Sequence, residues 1–228
     1  MTPDVAVVVF PGSNCEFDCK RAFESMGASV EMIWHADTDL RGAPLVVLPG
    51  GFAHGDYLRT GALARFSPVM DAVRAHAESS GLVIGICNGF QILCEAGMLP
   101  GAMKKNDGLK FLCKFTELKV ENAETPFTNR AIPGQVLSVP INHFEGNWYC
   151  EPEDLDQLRA DGRIVLRYVD NPNGSLDDVA GIMNESGTVF GLMPHPERAC
   201  EALLGSEDGR VIFGSMLDHV NAASSVVV

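Results

Sequence analysis

Leu82-Val83-Ile84-Gly85-Ile86 is an apolar run of strand type that breaks at Cys87-Asn88-Gly89 and resumes as Phe90-Gln91-Ile92-Leu93-Cys94-Glu95-Ala96, a set of helix formers ending before Gly97. A chain with this pattern has to pass sharply from strand to helix at residue 87, because glycines stand two before and two after it. Small residues at those places let the backbone turn tightly and present the central side chain outward, in the manner of a nucleophile elbow. That side chain is a cysteine. At a helix N-terminus the dipole favours the thiolate and draws such thiols down to a pKa of roughly 3.5–7.5. A buried cysteine at a strand end fits the same ten residues, so the rest of the chain has to decide.

The remainder sets the elbow in an α/β frame. Val5 to Phe10 is β-branched without polar alternation, as in a strand covered on both faces. Ser13-Asn14-Cys15-Glu16 reads as a capping box opening a helix with Cys19, Ala22, Phe23 and Met26 on one side and Gly27 as the stop. Val30 to Trp34 and Leu45 to Leu48 are further strands, and Ser67-Pro68 reads as an N-cap with proline in the first turn of a helix buried along Met70, Val73 and Ala77. Such alternation predicts βαβ units with right-handed crossovers.

From about Phe111 to Val139 the pattern becomes short alternating segments, expected to be antiparallel strands with one wet face. An acidic helix over Glu153 to Ala160, strands over Ile164 to Val169, Val179 to Asn184 and Thr188 to Met193, and a last helix along Phe213, Met216, Leu217 and Val220 complete the reading. With no internal repeat or linker, the expectation is one continuous domain over residues 1–228. Its fold class is a three-layer α/β sandwich: a mostly parallel central sheet carrying the elbow, plus a small antiparallel β section.

Composition excludes several roles. The net charge of −13, from 17 basic and 30 acidic residues, disfavours nucleic acid and anionic membrane as partners. No run of about 18 or more apolar residues spans a bilayer, and the N-terminus has no basic, apolar leader pattern, so a soluble, cytoplasmic protein is expected. The 7 cysteines are odd in number and free of any Cys-x-x-Cys pair, which argues for reduced thiols and no metal site.

A thiolate used for chemistry needs a proton acceptor and an orienting group beside it. Met193-Pro194-His195-Pro196-Glu197 supplies both types, and Pro196 biases His195 to extended geometry, in which residues two apart project to one side. Alone, these would be a surface histidine and a solvated carboxylate. With a Cys elbow in the same sheet they suit acyl transfer through a thioester, whose oxyanion needs two backbone donors. Those expected are the amide of Asn88 and an amide of the glycine loop Pro49-Gly50-Gly51-Phe52, with Gly51 preferred and Phe52 as its competitor.

Gly85-Ile86-Cys87-Asn88-Gly89-Phe90-Gln91, Pro49-Gly50-Gly51-Phe52 and Met193-Pro194-His195-Pro196-Glu197-Arg198 together resemble the class I (triad) glutamine amidotransferases. More narrowly, Phe10-Pro11-Gly12-Ser13-Asn14-Cys15, Gly55-Asp56-Tyr57-Leu58-Arg59, His143 with Glu145-Gly146-Asn147, Asn171-Pro172-Asn173-Gly174-Ser175 and Ala180-Gly181-Ile182 resemble the glutaminase-subunit family of phosphoribosylformylglycinamidine synthase, of purine biosynthesis. The resemblance implies that Cys87 attacks the side-chain amide of L-glutamine, His195 acts as base and acid, Glu197 orients His195, and Gln91 contacts substrate. Read without it, Gln91 is a solvent-facing helix residue. The resemblance further implies no cofactor in this chain and ammonia delivery to a large synthetase subunit that uses ATP and Mg²⁺, with a small bridging protein in the complex. A glutaminase for another amidotransferase, a Cys-elbow peptidase or stress-protein relative, and a non-catalytic module on the same fold are the alternatives.

Overall fold

A computed structural model describes residues 2–225. Its first half alternates strand and helix: β1 (Val5–Val9), α1 (Glu16–Glu24), β2 (Val30–Trp34), β3 (Leu45–Leu48), α2 (Val69–Glu78), β4 (Leu82–Ile86) and α3 (Asn88–Glu95). The second half holds β5 (Ala102–Lys104), β6 (Leu112–Val120), β7 (Val136–His143), β8 (Asn147–Tyr149), α4 (Pro152–Ala160), β9 (Ile164–Tyr168), β10 (Val179–Met183), β11 (Val189–Leu192) and α5 (Gly209–Ser225).

Nine strands form one sheet in the order β2-β1-β3-β4-β11-β10-β9-β6-β7, and β5 pairs with β8 apart from it. The pairs β1/β2, β1/β3, β3/β4 and β4/β11 are parallel. Every residue of β3, β4 and β11 is buried, as expected of apolar runs covered on both faces. The crossovers β1-α1-β2 and β3-α2-β4 step in opposite directions across the sheet, so right-handed connections put α1 and α2 on opposite faces. On the side of α1, Phe23 packs on Phe213 of α5 with ring centroids 4.5 Å apart.

The antiparallel segments do not form a separate layer. β6, β7, β9 and β10 continue the central sheet, and β6 shows the predicted alternation of exposed and buried residues toward its end. Only β10 and β6 run against the other strands, so the carboxyl ends of β3, β4, β11 and β7 emerge along one edge. Ligands of open α/β sheets bind at such an edge.

Two local expectations fail because the capping side chain is engaged elsewhere, by near neighbours at Ser13 and by distant histidines at Ser67. Ser13 Oγ accepts the Phe10 amide at 3.0 Å and Asn14 Oδ1 accepts the Cys15 thiol at 3.0 Å, leaving Cys15 as N-cap of α1 without a side-chain cap. The Asn14 and Cys15 amides instead donate to Gly50 O at 3.3 and 3.1 Å, which fastens the loop after β3. Ser67 likewise does not cap α2: its Oγ lies 3.1 Å from His35 Nδ1 and 3.3 Å from His54 Nε2, and Pro68 stands at the N-cap. Among the described residues no helix is long and apolar enough to cross a membrane.

Candidate active site

The turn between β4 and α3 is the elbow read from the sequence. Cys87 has φ +51° and ψ −103°, a strained region for a residue with a Cβ, and its amide donates to Leu192 O of β11 at 2.8 Å. The flanking glycines have no alternative. A Cβ on Gly85 would stand 2.6 Å from Gly89 O, and one on Gly89 would overlap the Leu48 carbonyl of β3. The Cys87 thiol, 5% exposed as a residue, opens on a cavity of about 430 Å³ and lies 3.7 Å from Asn142 O at the end of β7.

His195 follows β11 and lines the same cavity; its amide donates to Pro140 O of β7 at 2.8 Å. Its Nδ1 is 2.6 Å from Glu197 Oε1, with both side chains buried. The expected extended geometry is not what joins them. His195 (φ −105°, ψ 83°) leads into one turn of 3₁₀ helix over Pro196–Arg198, and the turn folds the carboxylate back against the imidazole. A carboxylate at Nδ1 assigns the proton to that nitrogen and leaves Nε2 as the working atom. Nε2 is buried and has no hydrogen-bond partner among the described residues. Burial would lower the His195 pKa, but the Glu197 carboxylate and the Cys87 and Cys15 thiols outweigh it, and the net direction is well upward. That direction favours a proton on the ring, available to a leaving amine.

The loop after β3 supplies one free donor. The Phe52 amide donates to Gly12 O at 2.8 Å, whereas among the described residues the Gly51 amide has no acceptor. The Phe52 ring, about half exposed, still borders the cavity. Gly51 (φ +154°) has to be glycine, since a Cβ there would stand 2.7 Å from Ser13 Cα. Asn88 joins this loop to the elbow: its Oδ1 accepts the Ala53 amide at 3.0 Å and its Nδ2 donates to Gln91 Oε1 at 2.9 Å. Gln91 does not face solvent. It is 4% exposed, donates to Glu145 O at 2.6 Å and borders the cavity.

Sequence reasoning missed Cys15 as a neighbour of His195, because nothing local links residues so far apart in the chain. The Cys15 thiol, whose pKa burial raises, accepts from Arg198 Nη2 at 3.1 Å. Ligand atoms of Cys15, His195 and Glu197 lie within 4.8 Å of one another. A thiophilic ion there would compete with the adjacent Arg198 guanidinium and break the His195–Glu197 contact, so the residues do not make a good metal site. His143, the last residue of β7, is held by Asn106, with Nδ1 3.1 Å from Oδ1, and burial lowers its pKa to about 4.

A doubly covered sheet with a cysteine elbow and a buried His–Glu pair at one edge is the framework of a glutamine amidotransferase. Residues 2–210 match the family model described as the CobB/CobQ-like glutamine amidotransferase domain, and the chain belongs to this family. It is 49% identical over 99% of its length to the phosphoribosylformylglycinamidine synthase subunit PurQ of Salinibacter ruber, covering 100% of that relative. With the PurQ subunit of Rubrobacter xylanophilus it shares 53% identity, over 93% of this chain and 97% of the other. A chain of the solved PurLQS structure from Thermotoga maritima superposes with a TM-score of 0.90 at 45% identity, over 96% of this chain and 100% of that one.

Proposed function

We propose that the chain is the glutaminase subunit of phosphoribosylformylglycinamidine synthase. It hydrolyses L-glutamine to L-glutamate and ammonia and supplies that ammonia for the ATP-dependent conversion of formylglycinamide ribonucleotide to formylglycinamidine ribonucleotide. It works with a large synthetase subunit and a small bridging subunit, a reading supported by the whole-length likeness to PurQ subunits and to the PurLQS assembly. Residues 1–228 act as one glutamine amidotransferase domain in the cytoplasm; ATP and Mg²⁺ serve the large subunit, and the chemistry of this chain uses its own side chains.

In this mechanism the Cys87 thiolate attacks the side-chain amide carbon of glutamine. The oxyanion faces the amides of Gly51 and Asn88, His195 Nε2 gives a proton to the departing ammonia, and Glu197 keeps the imidazole oriented. His195 then takes a proton from the water that cleaves the thioester, returning Cys87 and releasing glutamate. The observation that carries the reading is His195, which borders the cavity with Cys87, is tied at Nδ1 to Glu197 at 2.6 Å and has no Nε2 partner among the described residues. The test is the Cys87→Ala variant in the reconstituted complex. Glutamine-dependent synthesis should disappear while synthesis from added ammonium persists; loss of both contradicts the assignment.

A further inference from the structure

The cavity with Cys87 and His195 also has an acidic part, whose meaning rests on the glutaminase reading. Asp56, on the turn beyond Phe52, and Glu145, just after β7, both border it and are half-buried. Uncharged groups hold them in place. Thr60 Oγ1 donates to Glu145 Oε2 at 3.2 Å, Gln91 Nε2 donates to Glu145 O at 2.6 Å, and Asn88 Nδ2 reaches Asp56 Oδ1 at 3.4 Å.

Among the described residues neither carboxylate has an ion-pair partner within 4.0 Å. The nearby Arg59 is committed to Glu95 through two contacts of 2.6 Å. Burial, and then the charge of Glu145, push the Asp56 carboxyl up to about 6. Two carboxylates that border one part-desolvated cavity are both stabilised by a cation placed between them. A second feature points to a ligand: His195, which borders the same cavity, has a side chain 1% exposed whose Nε2 has no hydrogen-bond partner among the described residues.

We propose that Asp56 and Glu145 form the subsite for the α-ammonium group of the substrate, holding the charged end of free glutamine while its side-chain amide is presented to Cys87. The subsite selects a free amino acid. A glutamine within a peptide has a neutral amide where the ammonium would be, and it would leave both carboxylates uncompensated.

The experiment compares L-glutamine with 4-carbamoylbutanoate, the same molecule without its amino group, in the assembled complex with wild type, Asp56→Asn and Glu145→Gln. Each variant should lose about 10–100-fold more kcat/KM on glutamine than on the analogue, with the glutamine loss mostly in KM. Alkylation of Cys87 by iodoacetamide, which lacks an ammonium, should keep its wild-type rate. Equal losses on both substrates, slowed alkylation, or an unchanged KM for glutamine would each overturn the subsite. Stimulation by Mg²⁺ that both variants abolish would do so as well, by assigning the pair to a metal. A wild-type complex that releases no glutamate from glutamine would instead refute the glutaminase reading and remove the basis of the subsite with it.

Discussion

Asn88 Oδ1 accepts the backbone amide of Ala53 at 3.0 Å, so a side chain from the first turn of α3 fixes the loop that carries Gly51. Truncation by Asn88→Ala leaves a buried amide without an acceptor, at a cost of about 1–3 kcal/mol. It also frees Gly51 to drift from the elbow, and small misplacements of a catalytic donor reduce turnover by up to about 100-fold. Urea unfolding and glutaminase kinetics measure the two effects separately. An unchanged kcat would mean that other contacts hold the loop.

Glu197→Gln keeps the size of the orienting group but puts an amide beside His195 Nδ1, stabilising the wrong tautomer. We expect kcat to fall by roughly 10²–10⁴-fold, short of the loss in Cys87→Ala, because an orienting group contributes less than the nucleophile. If the two variants are equally inactive, Glu197 does more than orient.

The elbow predicts an intolerance unrelated to chemistry. A methyl on Gly89 collides with the Leu48 carbonyl at the carboxyl end of β3, and neither strand nor helix can move without disturbing the other. Gly89→Ala should destabilise the protein by about 1–3 kcal/mol or more, read as a lower urea midpoint with an unchanged slope. A midpoint equal to wild type would show that the elbow has room.

His143 predicts an acid-sensitive stability. Its pKa in the fold is about 4, against an ordinary value of 6.5. Between these values the unfolded chain binds a proton that the folded one refuses, so stability falls as pH drops through this window. The slope is at most about 1.4 kcal/mol per pH unit. In His143→Asn that part of the slope should vanish, which melting temperatures measured from pH 7 to pH 4 would reveal. Parallel curves for the two proteins would contradict it.

What the sequence made legible was local in origin. Gly85-x-Cys87-x-Gly89 specifies the elbow because the glycines and the turn they permit are neighbours, and β-branched runs specify buried strands for the same reason. Glu197 was readable as the partner of His195, but not the route by which they meet: Pro196 suggests extension, whereas His195 donates its amide to Pro140 of distant β7 and enters a 3₁₀ turn. The capping box at Ser13 failed because the Ser13 hydroxyl and amide both turn to Phe10, while Gly50, brought in by the β1/β3 pairing, accepts the next two amides and starts the helix later. The neighbourhood of Asp56 and Glu145 was hidden too, since it depends on β7 ending at the same edge as β3 and β4.

The central position of β11 has a consequence for biosynthesis. β11 lies between β4 and β10, yet it is made long after β4, and parallel pairing across such a separation is slow to form. Until it inserts, Cys87 stands beside an open strand edge with neither Leu192 nor His195 next to it. A chain on the ribosome therefore cannot bring Cys87 and His195 together before β11 has been made and inserted.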